Sequence, residues 1–380
     1  MNKSKVYFTD FRTRGDESLT LKMERLVKRA DFESIDFKGK FVAVKIHFGE
    51  PGNLAYLRPQ WARALCDYIK RLGGKPFLCD CNTLYVGGRK NALDHLDSAS
   101  ANGYNSLTTG VQCIIADGLK GLDERLMPVP GGVYCKEAKI GSAIAEADIV
   151  ISMTHFKGHA STGFGGVLKN IGMGGGSRSG KQIMHSEGTP RIIKDLCVGC
   201  RSCERNCAHD GVHVVDGKAL IDENKCVGCG RCVAICPTDA IQTKWDSAND
   251  VLSCKIAEYS WAVVHNRPAF HISFVRDVSP LCDCTSCNDA PIIPDVGMFA
   301  GFDPVAIDQA CADMTSVQPV FENSKLGENI RKGQEELKSK KHGHRDLFRM
   351  IHPDSSWEAG LDHAEKLGMG SREYELVMME

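Results

Sequence analysis

Eight cysteines stand in two runs of one spacing: Cys197-x2-Cys200-x2-Cys203-x3-Cys207, then Cys226-x2-Cys229-x2-Cys232-x3-Cys236-Pro237. Three closely spaced thiolates can wrap one iron–sulfur cube. The fourth, set off by three residues, points away and ligates a neighbouring cluster. The spacing therefore predicts one [4Fe–4S] cluster on Cys197, Cys200, Cys203 and Cys236, and a second on Cys226, Cys229, Cys232 and Cys207. Soft thiolates suit iron–sulfide chemistry, and an all-cysteine set leaves no open iron, so the expected chemistry is one-electron transfer. A pair of zinc knuckles is the competing reading. The runs are too crowded for it, because zinc ribbons spread two C-x2-C pairs further apart.

A second group of reactive residues follows apolar runs. His47 closes the run 41–48, Asp80 and Asn82 close 76–81, and His155, Lys157 and His159 follow 148–153. Open α/β sheets bind ligands beyond the carboxyl ends of their strands. His155, Lys157, His159 and Lys169 are therefore expected to act on a ligand. His47, Asp80, Asn82, Arg178 and Lys181 are expected to bind it. The plainer alternative makes each a local cap or a satisfied buried polar group. Two histidines flanking Lys157 in a glycine-bordered loop weigh against that alternative.

Gly175-x4-Gly180-Lys181 approximates a phosphate loop, but Gln182 replaces the magnesium-binding hydroxyl, and Gly188 and Pro190 cut short any following helix. A glycine-rich loop bearing Lys169, Arg178 and Lys181 either holds another anion or simply packs tightly. No G-x-G-x-x-G follows the first strand, so no nicotinamide site is indicated. Cys282 and Cys284 follow Pro280 and offer a candidate third site, for a soft metal or for thiol redox chemistry; free thiols are the alternative. Cys66, Cys113, Cys135 and Cys311 sit in apolar patterns as small core residues.

The elements that must position these groups alternate strand and helix, which predicts an α/β main domain, a mixed or parallel sheet with flanking helices. Residues 190–245 break the rhythm, and 270–275 restores it. The expected division is 1–187, first part of the α/β domain; 188–246, an inserted small α+β ferredoxin-like domain; 247–320, second part; and 321–380, a helical C-terminal extension. Asp303-Pro304 reads as an N-cap and first helical residue.

Composition is that of a globular chain: 380 residues, 42% hydrophobic, 25% charged, net charge −1. It excludes a mostly disordered chain and offers no nucleic-acid footprint. The cationic run 338–345 reads as a solvated helix face. The N-terminus starts as a strand and no long apolar run exists, so neither a leader nor a membrane span is expected, and the cytoplasm is the default compartment. Eighteen cysteines there point to metal or catalysis rather than disulfides.

Residues 190–245 resemble the bacterial-type two-cluster ferredoxins, down to the internal repeat Cys-Val-Gly-Cys-Arg-Ser-Cys and Cys-Val-Gly-Cys-Gly-Arg-Cys. One departure is Ala208, where that family has proline. The strand-end motifs, with 163–174, Cys282-Asp283-Cys284, Pro294-Asp295-Val296-Gly297 and 303–308, resemble the DUF362 family of iron–sulfur-centre proteins over nearly the whole chain. Many members carry an inserted ferredoxin unit, and the family has no settled reaction. His159-x3-Gly163-Phe164-x-Gly166-x2-Lys169 is also similar to a stretch of the pincer-nickel lactate racemases, where a lysine at a slightly different spacing carries the cofactor. The resemblances imply a redox protein whose two clusters exchange electrons with a ligand or metal in the α/β domain. A shuttle subunit docking a partner oxidoreductase and a non-redox enzyme with structural clusters are the alternatives. The partner is accordingly a redox protein or a small molecule.

Overall fold

The computed structural model describes residues 3–13, 15–333, 343 and 345–379. The run 338–345 lies outside them except for Gly343 and Arg345. Eight strands build the main sheet: β1 Ser4–Thr9, β2 Phe41–Lys45, β3 Lys75–Asp80, β4 Cys113–Ile115, β5 Ile149–His155, β6 Ala269–Val275, β7 Gly297–Gly301 and β8 Tyr374–Met378. Their order is β8-β1-β7-β6-β5-β2-β3-β4. Strands β6, β5, β2, β3 and β4 pair in parallel, and β7 runs antiparallel to both β6 and β1, so the sheet is mixed.

Side-chain alternation sorts the two faces. Ile149, Ile151 and Met153 of β5 pack with Val42, Val44 and Leu78 against helices α1 (Leu19–Arg29) and α2 (Pro59–Arg71). Every residue of β5 is buried, but its other face carries Ser152 and Thr154, beside His271 and Ser273 of β6. That face is covered by α3 (Val167–Gly175) and α5 (Asn249–Val264). The two helices approach so closely that a Cβ on Gly172 would collide with the Ile256 carbonyl oxygen.

Two expectations change. The glycine-rich stretch is not one loop: 163–165 is a short strand, 167–175 is α3, and α4 spans Arg178–His185. Its glycines let backbones touch. The C-terminal segment is not wholly helical. The helix Trp357–Lys366 packs on α5, with Trp357 buried, and the chain then adds β8 as an edge strand parallel to β1. The Tyr374–Met378 strand is only half-buried, so its alternation is too weak to read from sequence.

Residues 188–246 contribute nothing to the main sheet. They form a small unit of one hairpin (Val212–Val215 with Lys218–Ile221), a second two-stranded ladder and two short helices, Ser202–Arg205 and Arg231–Ile235. Arg191–Ile192 pairs with Ile241–Gln242, so the entering and leaving segments lie side by side. Asp303 caps the helix α6 (Pro304–Ser316), accepting from the Val305 and Ala306 amides at 2.9 Å. Among the described residues no helix is long and apolar enough to cross a membrane.

Candidate functional site

A cavity of about 300 Å³ opens where β2, β3 and β5 end. The parallel order brings those carboxyl ends side by side, so residues far apart in sequence converge. Lys45, at the end of β2, is almost fully buried and ion-paired with Asp80 at the end of β3 (2.9 Å). Its ammonium also donates to Asn170 Oδ1 (3.0 Å), which ties the sheet to α3. Arg89 reaches back to Asp80 (3.4 Å) and Glu50 (2.7 Å). Burial pushes the Asp80 carboxyl up, but Lys45, then His95 and His47, outweigh it and hold it well below the usual range. A buried charge is tolerated only when paired in this way.

The wall after β5 carries Lys157 and His159. Lys157 Nζ lies 3.1 Å from Asp283 and donates to the His155 carbonyl (2.9 Å). His159 Nδ1 accepts from the amides of Ser161 (3.2 Å) and Thr162 (3.1 Å). A neutral ring so held carries its proton on Nε2. Burial, with Lys169 and His185 nearby, keeps this imidazole well below its ordinary pKa, hence neutral.

The loop after β6 brings two thiols to the same place. Among the described residues, ligand atoms of His159, Cys282 and Cys284 lie within 4.8 Å of one another, a group able to hold a metal ion. Lys169 Nζ is 3.4 Å from Cys282 Sγ. The Cys284 hydrogen bond lowers the Cys282 thiol well below its usual range; Lys169 and Lys157 add to this against the cost of burial. Cys284 is raised in turn, so the pair shares one proton. Burial pulls the Lys169 ammonium down, yet the two sulfurs outweigh it and its pKa is raised. The His159 tautomer leaves no free lone pair for a metal, so the two sulfurs are the stronger ligands of the three.

The cysteine-rich unit shares a wall with this cavity. Leu84, in the loop after β3, lines the cavity and also packs in the apolar cluster of Cys203, Cys232, Val233 and Ile241. Arg178 Nη1 donates to the Ala234 carbonyl (2.8 Å), and Lys139 to that of Cys229 (3.1 Å). A Cβ on Gly230, whose φ is +78°, would press on Gln182 of α4. Within the unit, burial raises the Cys203 thiol, with Cys236 and Cys200 among its charged neighbours. Burial raises Cys232 to about 12, with Cys229, Cys226 and Cys203 beside it. The backbone amides of Ala219 and Gly211 donate to the sulfurs of Cys197 (3.3 Å) and Cys207 (3.2 Å).

Of the residues expected at the site, His47, Asp80, Lys157, His159, Lys169, Lys181 and Cys284 line the cavity. His155 does not. Its Nδ1 meets Asp283 (2.9 Å) and its Nε2 the Arg276 carbonyl (2.8 Å), so it positions the carboxylate that holds Lys157. Asn82 is turned to Asp117 (2.9 Å) and the Gly118 carbonyl (2.8 Å). Arg178 faces the cysteine-rich unit, 3.6 Å from Asp239, rather than an anion. Cys282 sits behind Cys284 against Lys169. Sequence reasoning missed Lys45, Arg89, His185 and Trp245. Lys45 stood beside His47 in the same motif. Nothing local marked His185 at the end of α4 or Trp245, whose ring meets it edge-to-face at 4.5 Å.

The fold is that of a mixed α/β protein with a cavity lined by lysines and thiols. Residues 42–313 match the family described as "Domain of unknown function (DUF362)", which is most of the chain, and the chain belongs to that family. No curated protein matches it. Among solved structures it is similar to the lactate racemase apoprotein from Thermoanaerobacterium thermosaccharolyticum: 13% identity, 99% of this chain and 82% of that one, TM-score 0.39. It is also similar to a protein from Thermotoga maritima: 11% identity, 97% and 89% coverage, TM-score 0.38.

Proposed function

We propose that the chain is an iron–sulfur redox protein that exchanges electrons between two [4Fe–4S] clusters and a ligand or metal held in the α/β cavity. The cysteines Cys197, Cys200, Cys203 and Cys236 would hold one cluster, and Cys226, Cys229, Cys232 and Cys207 the other. The residues fit such groups: the donors are all soft, and two sulfurs receive amide hydrogen bonds. When bound, the clusters would supply one-electron transfer. The observation that carries the reading is the shared wall at Leu84, which puts the cysteine-rich unit directly against the cavity.

This chain's own residues supply the rest. Lys157, Lys169 and Lys181 offer positive charge to a ligand, His159 and the shared proton of Cys282 and Cys284 offer proton transfer, and Trp245 covers one side. If a third metal is held, Cys282 and Cys284 are its ligands. Purification without oxygen followed by iron and acid-labile sulfide analysis tests the reading. About eight of each per chain, with reduction by a low-potential donor, is the expected result; zinc at the cysteines with no sulfide would overturn it.

A second reading is an electron-shuttle subunit that docks a partner oxidoreductase. It is favoured by apolar side chains left in water on the cysteine-rich unit: Val198 (67%), Val227 (61%), Val215, Leu196 and Leu220. Co-purification with an oxidoreductase, without small-molecule binding, would select it.

A further inference from the structure

The cavity's charges do not close on themselves. Lys45 and Lys157 have carboxylate partners, at 2.9 and 3.1 Å, and Arg89 has two. Among the described residues Lys169 and Lys181 have no carboxylate ion pair. Lys181 is 6% exposed and its ammonium donates only to the Gly176 carbonyl (2.6 Å). Lys169 has only the Cys282 sulfur. Both face His185, whose imidazole burial pushes down to about 3 with these lysines adding to it. Ser247 Oγ, also in the lining, is buried with no hydrogen-bond partner. Buried donors short of acceptors are expensive: Ser247 Oγ has none, and each of the two ammoniums has one acceptor for its three N–H groups. Met173, Leu252 and Ile256 add an apolar part to the lining.

We propose that this cavity binds a small organic carboxylate, its oxygens held between Lys169, Lys181 and Ser247 and its carbon body against Met173, Leu252 and Ile256. The proposal rests on the reading of the cavity as the ligand site of the redox protein, and it names the ligand's class. A phosphate would share the negative oxygens, but two features disfavour it. The helix starts that would cradle it are occupied: Asp308 accepts from the Val167 and Leu168 amides at the head of α3 (2.6 and 3.0 Å), and Ser177 accepts from Gly180 in α4 (3.0 Å). Asp80, held ionised, also lies in the lining, where a second negative charge on the ligand would be repelled. A volume of about 300 Å³ sits at the small end of ligand pockets.

The test uses the full chain, purified without oxygen, with iron and sulfide measured on each sample. Calorimetric titration compares short aliphatic and aromatic monocarboxylates, the matching primary amides, and inorganic phosphate. Carboxylates are expected to bind and the amides and phosphate not. Lys181→Met and Lys169→Met should each weaken binding by roughly tenfold or more, as for a lost charge-assisted hydrogen bond. Lys181→Arg, which keeps the charge, should retain most of it and guards against a variant that merely misfolds. Binding of phosphate alone, equal binding of the amides, no binding at all, or indifference to both lysines would overturn the proposal. Carboxylate binding without iron or sulfide would leave it standing and remove the redox reading; intact clusters with no carboxylate binding would do the reverse.

Discussion

The cysteine-rich unit and the cavity of the α/β body are built on opposite principles. In the first, eight cysteines lie within one stretch of chain, on loops and two short helices, with Cys200 exposed. In the second, each group comes from a different strand end: Lys45, Asp80, Lys157 and Cys284. Some of the charges there are buried and paired with one another, as Lys45 with Asp80. A contiguous set can wrap a group without much help from its surroundings. A dispersed set depends on the sheet and is as strong as the sheet's order. The first region should therefore fail locally when damaged, and the second globally.

The largest effect should follow Cys229→Ser. Iron and sulfide should fall by about half, while carboxylate binding in the cavity persists; loss of the fold instead would break the contrast. Next comes Asp80→Asn, which strands Lys45 in the interior and should cost about 3–5 kcal/mol in denaturant unfolding, with cluster content preserved in what remains folded. The pH dependence has a definite sign. The Asp80 pKa is depressed on folding, so its contribution is present above the unfolded value of about 4 and lost as pH falls through the folded value. The variant should show a flatter acid limb.

Arg178→Ala removes the bond to the Ala234 carbonyl and the pair with Asp239. It should cost about 1–3 kcal/mol and slow reduction of a cavity ligand without changing iron content, since it loosens only the seam between the regions. Burial raises the Asp308 carboxyl to about 7 against two amide donors. Its contribution is full below about 4 and lost as pH rises through 7. Unfolding free energy should thus decline between about pH 4 and 7 by at most about 1.4 kcal/mol per unit and level off above that, and Asp308→Asn should abolish that slope. Val227→Asp is the mildest. Stability should move by less than about 0.5 kcal/mol, and loss of a co-purifying oxidoreductase would favour the shuttle reading.

Several elements were legible for physical reasons that tie them to neighbouring residues. Strand periodicity placed β2, β3, β5 and β6, and the Asp303-Pro304 cap placed α6. The Gly-rich stretch misled, because glycines that let α3 touch α5 look like glycines that free a loop. His155 was expected to act on a ligand because it stands beside Lys157 in sequence, and strand alternation then turns it toward Asp283.

From the sequence alone come the α/β class, the separate cysteine-rich unit, and the spacing that divides eight thiols into two sets. These depend on distances along the chain of a few residues, which covalent geometry restricts. Tertiary structure alone decided that β8 closes the sheet edge, that Arg178 and Asn82 turn away from the cavity while His185 and Trp245 enter it, and that Lys181 is left without a carboxylate. Those outcomes depend on strand order and helix packing, where the partners stand tens to hundreds of residues apart and only burial of the whole core selects among them.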